Sequence, residues 1–218
     1  MAVEVSELID QLKNPKKESV NGFDFYLGQI GSNKVVINRC GVGKVYSSSA
    51  TAVLLSRYKN VSLVINLGVA GGISKELNQG DFALATACIQ HDFITPGGIV
   101  GLIGDREKPE FECCGYSSLK MASKLADLKF KHKAGIIVSG DQFIACKQKV
   151  AELATNFNAI ACDMETAAIA QVCDIFKVPF LGLRSISDNA DNSAVLDFDA
   201  FCAIAAKRSI EAVSEFLQ

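Results

Sequence analysis

Two rhythms of apolar positions alternate along the chain. Short, nearly continuous apolar runs at Val61–Leu67, Asp81–Gln90, Ala134–Val138, Ala159–Cys162 and Val178–Ile186 predict buried strands. Between them lie stretches predicted as helices: Lys44–Tyr58, Tyr116–Leu128, Lys147–Thr155, Asp163 to about Cys173, and Phe198–Leu217. At the start, Val5, Leu8, Ile9 and Leu12 recur at i, i+3, i+4 and i+7, predicting a helix over 3–13 that Asn14-Pro15 ends. Phe23–Ile30 and Lys34–Cys40 read as two strands joined by the turn Gly31-Ser32-Asn33. Residues 93–115 read as a long surface loop, and 188–197 as a second loop. Strands alternating with helices, without a repeat or a linker, predict one α/β domain over residues 1–218. Its form is a three-layer sandwich with a mixed central sheet.

Polar groups gather where the apolar runs end. Four strands run into Gly68–Gly72, Ser139–Ile144, Asp163–Glu165 and Ser187–Asp191. If the strands lie parallel, these four turns share one edge of the sheet, where α/β proteins bind ligands. Gly68-Val69-Ala70-Gly71-Gly72 is read as a turn that lets a backbone approach a ligand; tight packing is its other explanation. Asp188 leaves the last strand beside Ser187, four residues after Arg184, and is taken as the chemical centre. The competing explanation is that Asp188 caps a loop or the next helix. The turns supply the acids Asp163, Glu165 and Asp188, and the apolar walls Phe143, Ile144, Met164 and Phe198. Carboxylates and apolar walls with few cations suit a neutral polar ligand such as a nucleoside, its base between apolar groups and its ribose diol on a carboxylate.

Composition narrows the classes. Net charge is -2 with both signs dispersed, which gives no basic face for nucleic acid. No apolar run has the length of a membrane span, and no targeting pattern opens the chain. Eight cysteines suggest a metal or disulfide framework, but Cys40, Cys88, Cys162, Cys173 and Cys202 lie in apolar segments as small core residues. Cys113-Cys114 has no C-x-x-C partner, and His91 and His132 are far apart in sequence. The expectation is a soluble, cytoplasmic protein with reduced thiols, no metal and no cofactor.

Six segments together are more specific than any of these features. They are Gly41-Val42-Gly43-Lys44-Val45, Asn66 through Gly72, His91-Asp92, Ser139 through Ile144, Asp163-Met164-Glu165-Thr166-Ala167-Ala168, and Arg184 through Asp191. In order and spacing the chain resembles the 5′-methylthioadenosine/S-adenosylhomocysteine nucleosidases, within the purine nucleoside phosphorylase fold. The resemblance implies hydrolysis of the N-glycosidic bond, with Asp188 protonating the purine at N7 and Ser187 holding it. It implies that Glu165 accepts the ribose diol, Met164 packs on the sugar, Phe143 stacks on adenine and the Ile144 backbone meets the base edge. Val42 and Phe198 then line the 5′-alkylthio end, Gly71 lies under base and ribose, Glu4 activates water, and Arg184 fixes that water or its base. A homodimer is expected, with the apolar patch Ile99, Val100, Leu102 and Ile103 near the partner's pocket.

Three departures stand beside the resemblance. The chain starts at Met1, without the short apolar strand ending in Gly-Ala that opens the family pattern, so either the start is truncated or another segment takes that strand's place. Val69 stands where many members have Ser, and residues 93–112 lack the aromatic run that lines the 5′ pocket. The rival activities are a phosphate-dependent purine nucleoside phosphorylase, a futalosine-type nucleosidase and a non-catalytic nucleoside sensor. A phosphorylase places an arginine just before the glycine stretch, where this chain has Asn66-Leu67.

Overall fold

A computed structural model describes residues 5–96, 109–190 and 194–218, with the side chains of 194–200 excepted. Two sheets form. The smaller has the order β1-β2-β3, from Lys13–Val20, Phe23–Ile30 and Asn33–Asn38. The β2–β3 hairpin is the expected one, and its Ile30 faces Asn33 across Gly31-Ser32. Strand β1 occupies a stretch where the sequence predicted the end of a helix and no strand. The helix there is shorter, α1 Ser6–Asp10. β1 pairs antiparallel with β2, placing Lys17 opposite Tyr26 and Glu18 opposite Phe25. Asn21 and Gly22 join them at φ 50° and 83°, the pair of positive angles that a two-residue hairpin turn requires. Nearly every side chain of β1 is exposed and it carries Pro15, which suits an edge strand and hides the usual alternation.

The larger sheet has the order β6-β5-β7-β8-β4-β9. Its strands are β4 Val64–Gly72, β5 Phe82–Gln90, β6 Phe111–Glu112, β7 His132–Ser139, β8 Ala159–Asp163 and β9 Phe180–Asp188. Strand β6 lies in the stretch expected to be loop. The predicted glycine turn at 68–72 is strand: β4 continues through Gly72, with Gly71 opposite Asp188 of β9 on one side and Cys162 of β8 on the other. The sheet also closes on itself, because Phe82–Leu84 of β5 pairs antiparallel with Leu183–Ser185 of β9.

The direction of the strands explains how one site forms. Strands β4 and β9 are parallel, and so are β7 and β8, but β4 and β8 are antiparallel. The sheet is mixed, as predicted, and the four turns share one edge without all their strands being parallel. The two parallel pairs meet tip to tip, overlapping only at Gly71–Gly72 and Ala161–Cys162, so all four C-terminal ends converge.

Helices cover both faces of the mixed sheet, as the α/β expectation required. On one side α3 Gly115–Asp127 and α6 Ala194–Leu217 pack against β4, β5 and β9 through Phe82, Leu84, Met121, Leu181, Leu183 and Ile210. Helix α6 starts four residues before the predicted Phe198. On the other side α2 Lys44–Arg57 packs on α5 Thr166–Phe176, whose face of Ala167, Ile169, Ala170 and Cys173 meets the sheet. Helix α4 Lys147–Phe157 covers β7 and β8. Among the described residues no helix is long and apolar enough to cross a membrane.

Candidate active site

The convergent strand ends enclose a cavity of about 290 Å³, near the lower end of the range of small-molecule sites. Val42, Gly71, Phe143, Ile144, Met164, Glu165, Arg184, Ser187 and Asp188, all singled out in the sequence, line it. Glu4 lies outside the described residues, although the adjoining Val5 lines the cavity. Phe198 is on α6, in the part whose side chains are not described, and the patch Ile99–Ile103 also lies outside the described residues. Sequence reasoning missed Asn38, Arg39, Cys40 and Cys162 as lining residues. The first three end β3 or follow it directly, just before Gly41, and chain continuity into Val42 was the available signal.

Asp188 is buried, 2% exposed. Its Oδ1 accepts the Ala190 N–H at 2.8 Å and its Oδ2 accepts the Ser187 hydroxyl at 2.7 Å. The Ser187 hydroxyl also has the Ala70 carbonyl oxygen within 3.4 Å. One proton facing two acceptors permits two arrangements. The hydroxyl donates to the Asp188 carboxylate, or it turns to Ala70 and accepts from a protonated Asp188. The hydrogen bonding thus accommodates an ionised or a protonated carboxyl without moving a heavy atom. Gly71 makes room for it: a Cβ there would stand 2.8 Å from the Ala190 Cβ and 3.2 Å from Asp188 Oδ1. Glycine inside a strand often marks such a close approach.

A second group of polar side chains is buried deeper. Arg184 is 3% exposed and places Nη2 2.7 Å from Asp163 Oδ2, 2.7 Å from Asn66 Oδ1 and 3.6 Å from Glu165 Oε2. Its Nε donates to Thr166 Oγ1 at 2.8 Å. Burial alone lowers the pKa of Arg184, but Asp163 and Glu165 reverse that and hold it above its usual value. Asp163 accepts the Thr166 N–H and the Ser139 hydroxyl, and Ser139 Oγ accepts the Ala167 N–H at 2.8 Å. The first N–H groups of α5 are thereby satisfied, and its positive end faces a carboxylate. Asp163, grouped in the sequence with the ligand-binding acids, is committed to this network. Asn66, where a phosphorylase has its arginine, serves Arg184 here.

Glu165 stands between the network and the cavity. Its Oε1 accepts the Gly43 N–H at 2.9 Å. Burial and the neighbouring negative charge of Asp163 push its pKa up, against the opposing pull of Arg184 and the Gly43 N–H. The apolar walls are more open: Phe143 is 49% and Val42 57% exposed. Glu165, Arg184 and Asp188 therefore lie on the floor, and Phe143 and Val42 toward the mouth.

This combination of a closed mixed sheet, a pocket at converging strand ends and a buried acid beside a hydroxyl defines a class. The Phosphorylase superfamily matches residues 1–218. A 5′-methylthioadenosine/S-adenosylhomocysteine nucleosidase from Shewanella halifaxensis is 35% identical, covering 96% of this chain and 92% of its own. The nucleosidase of the same name from Neisseria meningitidis, solved in complex with methylthio-immucillin-A, superposes with a TM-score of 0.93. It is 32% identical, with 99% of this chain and 94% of that one covered. The futalosine hydrolase of Helicobacter pylori superposes with a TM-score of 0.92 at 29% identity, covering 99% of this chain and 93% of that one. The chain belongs to the 5′-methylthioadenosine/S-adenosylhomocysteine nucleosidase family of the Phosphorylase superfamily.

Proposed function

We propose that the chain hydrolyses the N-glycosidic bond of 5′-methylthioadenosine and S-adenosylhomocysteine, releasing adenine and the 5′-thio-ribose. The observation that carries this reading is the Ser187–Asp188 pair on the cavity floor, built for a carboxyl group that gives up and regains a proton. Asp188 protonates adenine at N7, and the C1′–N bond breaks with its electron pair leaving on the neutral base. Glu165 holds the ribose diol, Met164 packs on the sugar, Phe143 stacks on adenine and the Ile144 backbone meets the base edge. Val42 and Phe198 face the 5′ substituent, and Gly71 lets the base and ribose approach. A water oxygen bonds to C1′ as the base leaves, and Glu4 takes the water's proton. Arg184, already ion-paired with Asp163 and Glu165, keeps the diol-binding carboxylate in place. The proposal takes residues 1–218 as one domain, and no cofactor enters the chemistry.

The deciding assay follows free adenine from methylthioadenosine with and without inorganic phosphate. Equal rates, with free 5-methylthioribose as the sugar product, support hydrolysis. A requirement for phosphate would make the chain a phosphorylase, with the exposed Arg39 at the cavity as the first cation to examine. Binding without turnover would make it a sensor. Offering futalosine in parallel tests the alternative that the Helicobacter pylori neighbour represents.

The raised pKa of Glu165 gives a pH prediction. A diol acceptor must be ionised, and a carboxyl with a raised pKa takes up its proton at a higher pH than an ordinary glutamate. As pH falls from neutrality, KM should therefore rise before ordinary carboxylates titrate, while Glu165→Gln should start from a high KM and lose that acid limb. Initial rates over pH 5–8 check it, and an unchanged acid limb in Glu165→Gln would remove Glu165 from sugar binding.

A homodimer acting in the cytoplasm is part of the proposal. Val42, Val45 and Tyr46 are 57%, 76% and 63% exposed at the start of α2, beside the cavity mouth, and clustered apolar exposure marks contact surfaces. Cysteines used as small core residues, as at the buried Cys88, Cys162 and Cys173, suit a reducing compartment. Light scattering at micromolar concentration should give the mass of two chains; a fully active monomer would overturn the assembly.

A further inference from the structure

His91-Asp92 follows β5 and has no part in the chemistry above, yet Asp92 sits in a closed ring of polar contacts. Its Oδ1 pairs with Lys44 Nζ at 2.6 Å, and its Oδ2 accepts the Asp141 N–H at 2.8 Å. The Asp141 carboxylate in turn accepts the Lys44 N–H at 2.8 Å. Three segments far apart in sequence are thus tied by three bonds, and the Lys44 and Asp92 side chains are only 18% and 19% exposed. None of the three residues lines the cavity, but each neighbours a segment that does. Before Lys44 come Val42 and Gly43, whose N–H holds Glu165. After Asp141 come Gln142, Phe143 and Ile144.

Two glycines make the ring possible. A Cβ on Gly140 would lie 2.4 Å from His91 Nε2 and 3.0 Å from Asp92 Cγ. Gly43 has φ +88°, and a Cβ there would lie 3.0 Å from Asp141 Oδ1. The backbone is therefore shaped at two places to let the ring close. The negative charge of Asp92 is well kept: burial pushes its pKa up, but Lys44 and the Asp141 N–H outweigh burial and hold it below the usual carboxylate value.

We propose that Asp92 is a positioning residue that fixes the spacing across the cavity mouth between the Val42–Gly43 loop and the Phe143 loop, by clamping Lys44 to Asp141. The proposal rests on the nucleosidase reading for its substrate. The clamp acts on groups that hold the nucleoside in both ground and transition states, whereas Asp188 is carried separately by β9. Its loss should therefore appear in KM rather than in kcat.

The test compares Asp92→Ala, Lys44→Met and the double variant with the unmodified protein. It measures kcat and KM for methylthioadenosine, the Kd of adenine by calorimetry, and Tm. Each single change should raise KM and the adenine Kd about 10- to 100-fold, the scale of a lost hydrogen bond to a charged group. kcat should stay within about threefold. The double variant should be no worse than the poorer single one, because both break the same ring. Asp92→Asn, which keeps an acceptor for the Asp141 N–H, should fall in between. Unchanged KM and Kd in both single variants, or a double variant equal to the sum of the two, overturns the proposal. A fall in Tm alone with binding intact overturns it too. If Asp92→Ala does not fold, Lys44→Met carries the same test from the other side of the ion pair. If the unmodified protein turns over no nucleoside, the functional reading fails, while the adenine Kd values still decide the clamp.

Discussion

Asp188→Asn should lower kcat by at least about 100-fold, the lower end of what general acid catalysis contributes, with KM little changed. Adenine is a poor leaving group as an anion, and asparagine has no proton of suitable acidity to give N7. The groups proposed to hold the substrate, Phe143, Met164 and Glu165, are untouched. The fold should tolerate the change, because asparagine can accept the Ala190 N–H on its oxygen and donate its amide to the Ser187 hydroxyl, which then turns to the Ala70 carbonyl. If Asp188 only caps the chain after β9, the variant should instead lose at most about 1–2 kcal/mol of stability and keep its turnover. Steady-state kinetics and thermal melting on this one variant separate the two outcomes, and a near-normal kcat would remove Asp188 from the mechanism.

Arg184→Met should have the largest effect on stability. It leaves Asp163 buried at the head of α5 without its cation, and breaking a buried ion pair from one side costs about 3–5 kcal/mol. At about 2–4 °C per kcal/mol for a chain of this size, Tm should fall by about 6–20 °C. Adding Asp163→Asn should recover part of the loss, since the stranded charge is then gone. KM should rise in both variants, because Glu165 loses its partner. Melting curves of the single and double variants check this. A shift below about 2 °C in Arg184→Met, or no recovery in the double variant, would mean that Ser139, Thr166 and the α5 N-terminus stabilise Asp163 without the arginine.

The pattern of this sequence made the buried elements legible and left the exposed and doubly used ones obscure. Strands β5, β8 and β9 are short apolar runs, and burial explains nearly all of their residues, while β7 is an apolar run buried only at its C-terminal end. Strand β1 is a run of lysines around a proline, and only its pairing with β2 makes it a strand. The Asn21-Gly22 turn signal was present, but its upstream partner lacked any apolar rhythm. Gly68–Gly72 reads as a turn by composition, yet its glycines mark where Asp188, Ala190 and Ile186 press on a strand. Most of the residues predicted for the site line one cavity because strand ends gather ligand-binding groups. What stayed hidden was the division of labour among the acids. Asp163, Glu165 and Asp188 are chemically alike in sequence, and only their partners distinguish an anchor for Arg184 from a group facing the ligand.

The closure of the larger sheet by β9 has a bearing on how the protein comes into being. Phe82–Leu84 waits for Leu183–Ser185, about a hundred residues later in the chain. Contacts so distant in sequence form slowly, since a long loop must close before they repay its entropy. The strand that shuts the sheet also carries Arg184, Ser187 and Asp188. A growing chain on the ribosome therefore carries β4, β5, β7 and β8 before the residues that close the seam and before Asp188. The closing of the sheet and the arrival of the proposed proton donor thus depend on the same nine residues.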